Sequence, residues 1–133
     1  MVENTKIPPK IIIDASIVLS FLLPDEKDTI ADKIFRAFQQ NKTVIITSQL
    51  FFFEVGNSLK SAILQKRISY HIAKKLLEKL IKTTISQVAV NWQQTLDFAV
   101  KHKISFYDAS YLLLAKQEKV RLYTLDKKLG KLV

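Results

Sequence analysis

A chain of 133 residues, 48% hydrophobic and 25% charged, has the size and balance of one folded domain, which excludes a disordered or fibrous protein. It has no cysteine, so disulfides, thiolate nucleophiles and cysteine-held zinc are excluded together. Lys and Arg number 21 against 12 Asp and Glu, and the formal net charge of +9 favours polyanion partners through counterion release from phosphates.

Residues 1–9 carry no pattern of a folded element and are expected to form a flexible N-terminal extension. Met1 to Lys6 lacks the basic start and apolar core of a signal peptide. Lys10-Ile11-Ile12-Ile13 is a β-branched run of the kind found in buried strands. It ends at Asp14, and a short helix is expected from Ser16 to about Leu22, stopped by Pro24. The stretch from Ile11 to Leu23 is the most apolar in the chain. Asp14, Ser16 and Ser20 interrupt it, and it is too short to cross a bilayer. A cytoplasmic protein without membrane attachment is expected.

Ile30, Ile34, Phe35 and Phe38 fall at helical spacing between Asp28 and Gln40. Thr43 to Ile46 reads as a second strand, with Ser48 as the N-cap of a long helix running to about Lys66. Ser69 caps another helix, whose apolar face is Ala73, Leu76, Leu77, Leu80 and Ile81, with four lysines around the other side. Ile85 to Val90 is a third strand and Trp92 to about Lys101 a helix. Tyr107 to about Glu118 is a further helix, Val120 to Thr124 a fourth strand, and Asp126 caps a last turn ending near Gly130. Strands alternating with helices predict a single α/β domain over residues 1–133, a parallel sheet of four to five strands with helices on both faces.

Ligands of open parallel sheets bind beyond the carboxyl ends of the strands. Asp14 directly follows the first strand and Asp126 closely follows the fourth, so both belong to that rim. Each is equally suited to capping the helix after it, and one carboxylate can do both. Asp108 opens the helix before the fourth strand, where the helix dipole also favours an acid. Glu54 sits in Phe51-Phe52-Phe53-Glu54-Val55, among side chains that belong in a core. Burying an unpaired carboxylate costs several kcal/mol unless it takes up a proton. Asn57, Ser58 and Ser61 continue a polar strip on its helical face. Acids crowded together raise one another's pKa, and a hard divalent cation relieves that repulsion. His71 and His102 have no metal-ligand spacing, and no phosphate-cradling glycine loop is present.

Ile11-Ile12-Ile13-Asp14-Ala15-Ser16, Glu54-Val55-Gly56-Asn57-Ser58-Leu59, Tyr107-Asp108-Ala109-Ser110-Tyr111 and Tyr123-Thr124-Leu125-Asp126, in that order, resemble the blocks of PIN-domain proteins. The likeness runs from about Lys10 to Leu129 and is nearest to the VapC-type toxins of bacterial and archaeal toxin–antitoxin pairs. It implies that Asp14, Glu54 and Asp108 are the three core acids and Asp126 the more variable fourth. It further implies supporting roles for Ser16 beside the first acid, Asn57 behind the helical Glu and Thr124 beside the fourth acid. Family members cut RNA with Mg²⁺ or Mn²⁺, usually form homodimers, and are silenced by a cognate antitoxin. The chain departs from the family in having no clear last strand before Val133 and in placing Gly56 where a bulkier or small apolar residue is common.

Phosphodiester hydrolysis at a centre held by Asp14, Glu54, Asp108 and Asp126 is therefore the expected activity, with Asp14 and Asp108 as direct ligands. Lys60, Lys66, Arg67, Lys127 and Lys128 are candidates for holding the RNA backbone. The alternative is a PIN-like scaffold that binds RNA or protein without cutting. A haloacid-dehalogenase-like phosphatase is a poorer match, because it needs a second Asp where this chain has Ser16.

Overall fold

Three consecutive isoleucines begin the sheet. In the computed structural model, which describes residues 6–133, β1 (Lys10–Ile13) buries Ile11, Ile12 and Ile13 completely. Residues 1–5 of the expected N-terminal extension lie outside the described residues. Just ahead of β1, the Pro8 carbonyl accepts from Thr43 Oγ1 at 2.7 Å and the Pro9 carbonyl from Val44 N–H at 2.8 Å.

After β1 come α1 (Ala15–Leu22) and α2 (Thr29–Gln39), then β2 (Val44–Ser48), α3 (Phe51–Leu64) and α4 (Tyr70–Ile81). The chain continues through β3 (Ser86–Val88), α5 (Trp92–His102), α6 (Phe106–Glu118), β4 (Leu122–Tyr123) and α7 (Lys127–Gly130). The sheet is parallel throughout, in the order β3-β2-β1-β4. Ile11 stands beside Ile45 in β2, and Ile13 beside Tyr123 in β4.

The chain lays down β1, β2 and β3 outward in one direction and then returns to place β4 on the other side of β1. Right-handed crossovers put α1 to α4 on one face and α5 and α6 on the other. Packing follows the same grouping, with α1 against α2 and α3, α3 against α4, and α5 against α6. The reversal makes the carboxyl ends of β1 and β4 the switch point of the sheet, where such folds take their ligands. Each fully buried Ile or Leu of the layers contributes roughly 2 kcal/mol through loss of water contact.

Several boundaries differ from the sequence reading. Ser48 is the last residue of β2, and α3 starts at Phe51; the Ser48 hydroxyl instead accepts the N–H of Leu50 at 2.9 Å. Helix α1 begins at Ala15, with Asp14 in the N-cap position but making no capping bond, because its carboxylate is turned to other partners. Ser69 and Asp126 do cap α4 and α7, accepting from Ile72 and Leu129 N–H.

Candidate active site

The four acids enter from four different elements. Asp14 follows β1, Glu54 lies in the first turn of α3, Asp108 in the first turn of α6, and Asp126 precedes α7. The structure brings their charges within reach of one another. Asp14, Asp108 and Asp126 all disfavour the ionised form of Glu54, Asp126 does so to Asp108, and Asp108 to Asp14.

Asp14 is the deepest, with 3% of its surface exposed. Burial raises its pKa, and two hydroxyl donors oppose that rise. Ser16 Oγ donates to Oδ1 and Thr124 Oγ1 to Oδ2, each at 2.5 Å. Both hydroxyls also accept backbone N–H groups of the loop after β4, Ser16 from Leu125 at 2.9 Å and Thr124 from Asp126 at 3.0 Å. The first acid is thereby tied to the segment that carries the fourth. The two donors favour the charged form against the burial that opposes it.

Glu54 is partly buried. Desolvation, only partly offset by a hydrogen bond from Tyr111, pushes its pKa up to about 7, and the three neighbouring acids push the same way. Asp108 is raised by burial and then by Asp126, while the Lys128 ammonium works in the opposite direction. Asp126 is exposed, its Oδ1 accepting the N–H of Leu129 at 2.9 Å.

Among the described residues, no three of these side chains stand close enough to form a ready-made cage for an ion. The donor set nevertheless suits a hard divalent cation. It offers carboxylate oxygens alone, and Mg²⁺ or Mn²⁺ retaining part of a water shell needs only one or two of them directly.

Not every expected helper reaches the acids. Asn57 is exposed, and among the described residues no hydrogen bond joins its side chain to them. Arg67 pairs with Asp25 at 2.9 Å and with Glu26. It lies beyond the end of α3, an end itself about 15 Å along the helix axis from Glu54 by a rise of about 1.5 Å per residue. Lys60 borders the groove between α3 and α4. Lys128 is better placed, its ammonium on the Lys103 carbonyl at 2.6 Å and near Asp108. Sequence reasoning assigned no role to Tyr111, whose hydroxyl donates to Glu54 at 2.8 Å. The available signal was its position one turn after Asp108 on an apolar helix.

The PIN-domain profile matches residues 11–133 of the chain. Ribonuclease VapC3 of Pyrobaculum aerophilum is 25% identical over 125 residues, covering 91% of this chain and 92% of that protein. The crystal structure of PAE2754 from Pyrobaculum aerophilum superposes with a TM-score of 0.72 at 21% identity, over 93% of this chain and 79% of that one. Mycobacterium tuberculosis VapC20, described as a toxin that cleaves the sarcin–ricin loop, superposes with a TM-score of 0.66 at 17% identity, over 91% and 93%. These two structures bear on the fold.

Proposed function

Because the chain belongs to the PIN-domain family, we propose that it is a metal-dependent endoribonuclease, the toxin of a VapC-type toxin–antitoxin pair. The observation that carries this reading is the meeting of four carboxylates, from four elements, at the switch point between β1 and β4. A purely structural role gives no return for holding Asp14 buried and Glu54 unpaired beside further acids.

Asp14 and Asp108 would hold Mg²⁺ or Mn²⁺ directly, and Glu54 and Asp126 directly or through water. When bound, the ion lowers the pKa of a water ligand and neutralises charge growing on the phosphate. Ser16 and Thr124 donate to the two oxygens of Asp14, favouring its charged form and fixing the carboxylate in direction. Lys128 and Lys127, on the turn after Asp126, supply positive charge for the RNA backbone beside the acids.

Two exposed apolar surfaces support protein partners. Trp92, Leu96 and Val100 recur every four residues along α5 and suit a second copy of the chain. The α3–α4 groove, about 390 Å³, is floored by Leu59, Ile63 and Leu77 with Lys60 and Lys74 beside it. That combination suits an amphipathic antitoxin helix bearing acidic residues. No helix among the described residues is long and apolar enough to cross a membrane.

The deciding experiment is cleavage of pooled structured RNA with Mg²⁺ or Mn²⁺ and with chelator, comparing wild type with Asp14→Asn and Asp108→Asn. Metal-dependent cutting lost in both variants is the expected result. An antitoxin-free preparation that neither cuts RNA nor binds Mn²⁺ would leave a PIN fold serving as a scaffold, and the nuclease reading would be withdrawn.

A further inference from the structure

Tyr111 is among the largest fully buried side chains in the protein, yet it carries a hydroxyl into that interior. Phenylalanine fills nearly the same volume without the cost of burying a polar group, so the hydroxyl requires a partner. Its partner is Glu54 Oε1, which accepts from the phenol at 2.8 Å. Tyr111 and Asp108 are three residues apart on α6 and so lie on one face, one turn from each other. The ring is held firmly because the next residue back, Ser110, is also buried and donates to Ser48 Oγ at the end of β2 at 2.8 Å.

Glu54 has little else to hold it. Among the described residues the ion pairs join Arg67 to Asp25 and Glu26, and none involves Glu54. Its charged neighbours are the acids Asp14, Asp108 and Asp126, which repel it. A flexible glutamate under such repulsion, with water within reach, would swing outward. The phenol engages one carboxylate oxygen as a donor and leaves the second free.

We propose that Tyr111 is a positioning residue of the acid centre, its hydroxyl on α6 holding the Glu54 carboxylate of α3 in place beside Asp14 and Asp108. The proposal rests on reading the cluster as the metal-binding nuclease centre. In this role Tyr111 acts through Glu54, the acceptor of its hydroxyl.

A double-mutant cycle tests this on the full chain, with Tyr111→Phe, Glu54→Ala and the pair together. Mn²⁺ affinity is read by titration calorimetry, folding by thermal melting, and RNA cleavage as a function of Mn²⁺ concentration. Loss of an outer hydrogen bond to a ligand typically weakens metal binding about 10- to 100-fold, so Tyr111→Phe is expected to show a loss in that range. Its cleavage rate recovers at high Mn²⁺, and in the Glu54→Ala background, where the hydroxyl has no carboxylate to hold, removing it changes affinity less than about twofold, since coupled residues are not additive. Wild-type affinity in Tyr111→Phe, an equal loss in both backgrounds, or loss of cooperative melting would each overturn the proposal. Coupled Mn²⁺ affinities with RNA left intact would support the positioning role while removing the nuclease reading.

Discussion

Replacing Glu54 by Gln should stabilise the metal-free protein at pH 8 and leave it nearly unchanged at pH 4. The carboxyl of Glu54 is moved from an ordinary 4.5 to about 7, chiefly by desolvation. The folded protein therefore holds this proton more tightly than the unfolded chain does. Stability is greatest below 4.5 and declines as pH rises through the window from 4.5 to about 7. A displacement of that size corresponds to about 3.4 kcal/mol at about 1.36 kcal/mol per pH unit, and partial contact with water reduces it to about 2 kcal/mol. Glutamine resembles the protonated acid, still accepts from Tyr111, and loses nothing as pH rises. For a chain of this length about 2 kcal/mol is a difference of about 7 °C in Tm. The assay is thermal melting by circular dichroism in chelator at pH 4 and pH 8. Adding Mn²⁺ at about 100 times its dissociation constant should then raise the wild type by about 2.7 kcal/mol and the variant by less, narrowing the gap. A Glu54→Gln protein no more stable than wild type in chelator at pH 8 would refute the claim that this carboxylate is held at a cost.

Thr124→Val removes one of the two hydroxyls that oppose the upward push of burial on the Asp14 pKa. Its pH–rate profile should show the acidic limb moved to higher pH, with a stability loss of about 1.5–3 kcal/mol for the missing bond to a charged group. RNA binding that uses about three lysine–phosphate contacts should weaken about 20-fold between about 50 and 200 mM salt. Lys128→Ala should flatten that dependence, as measured by filter binding on the Asp14→Asn protein; an unchanged slope would remove Lys128 from the interface. Arg67→Ala, which breaks a surface pair with Asp25 and Glu26, should cost no more than about 1 kcal/mol. It should leave RNA affinity unaltered in the same assay.

The sheet was legible because its strands are short apolar runs bounded by polar residues, and the rim positions of Asp14 and Asp126 follow from where those runs end. Glu54 was legible through the contrast between a carboxylate and three phenylalanines. Partnerships across the chain were not. Ser48 has the chemistry of an N-cap, but β2 extends through it and its oxygen serves Leu50 and Ser110 instead. Tyr111 meets Glu54 across 57 positions, and helical periodicity reports only that it points inward. Arg67 resembled a free surface cation until the fold brought Asp25 to it, 42 positions away.

Asp14 and Thr124 are joined by a hydrogen bond spanning 110 positions. β1 is the first strand a ribosome would make and β4 the last of those described, yet they lie side by side. Until the segment from β4 onward is made, Asp14 has only the Ser16 hydroxyl of its two donors, and Asp126 is absent. Contacts of such separation form late in folding. The acid cluster therefore stays incomplete until β4 and the segment carrying Asp126 have joined the strand laid down first.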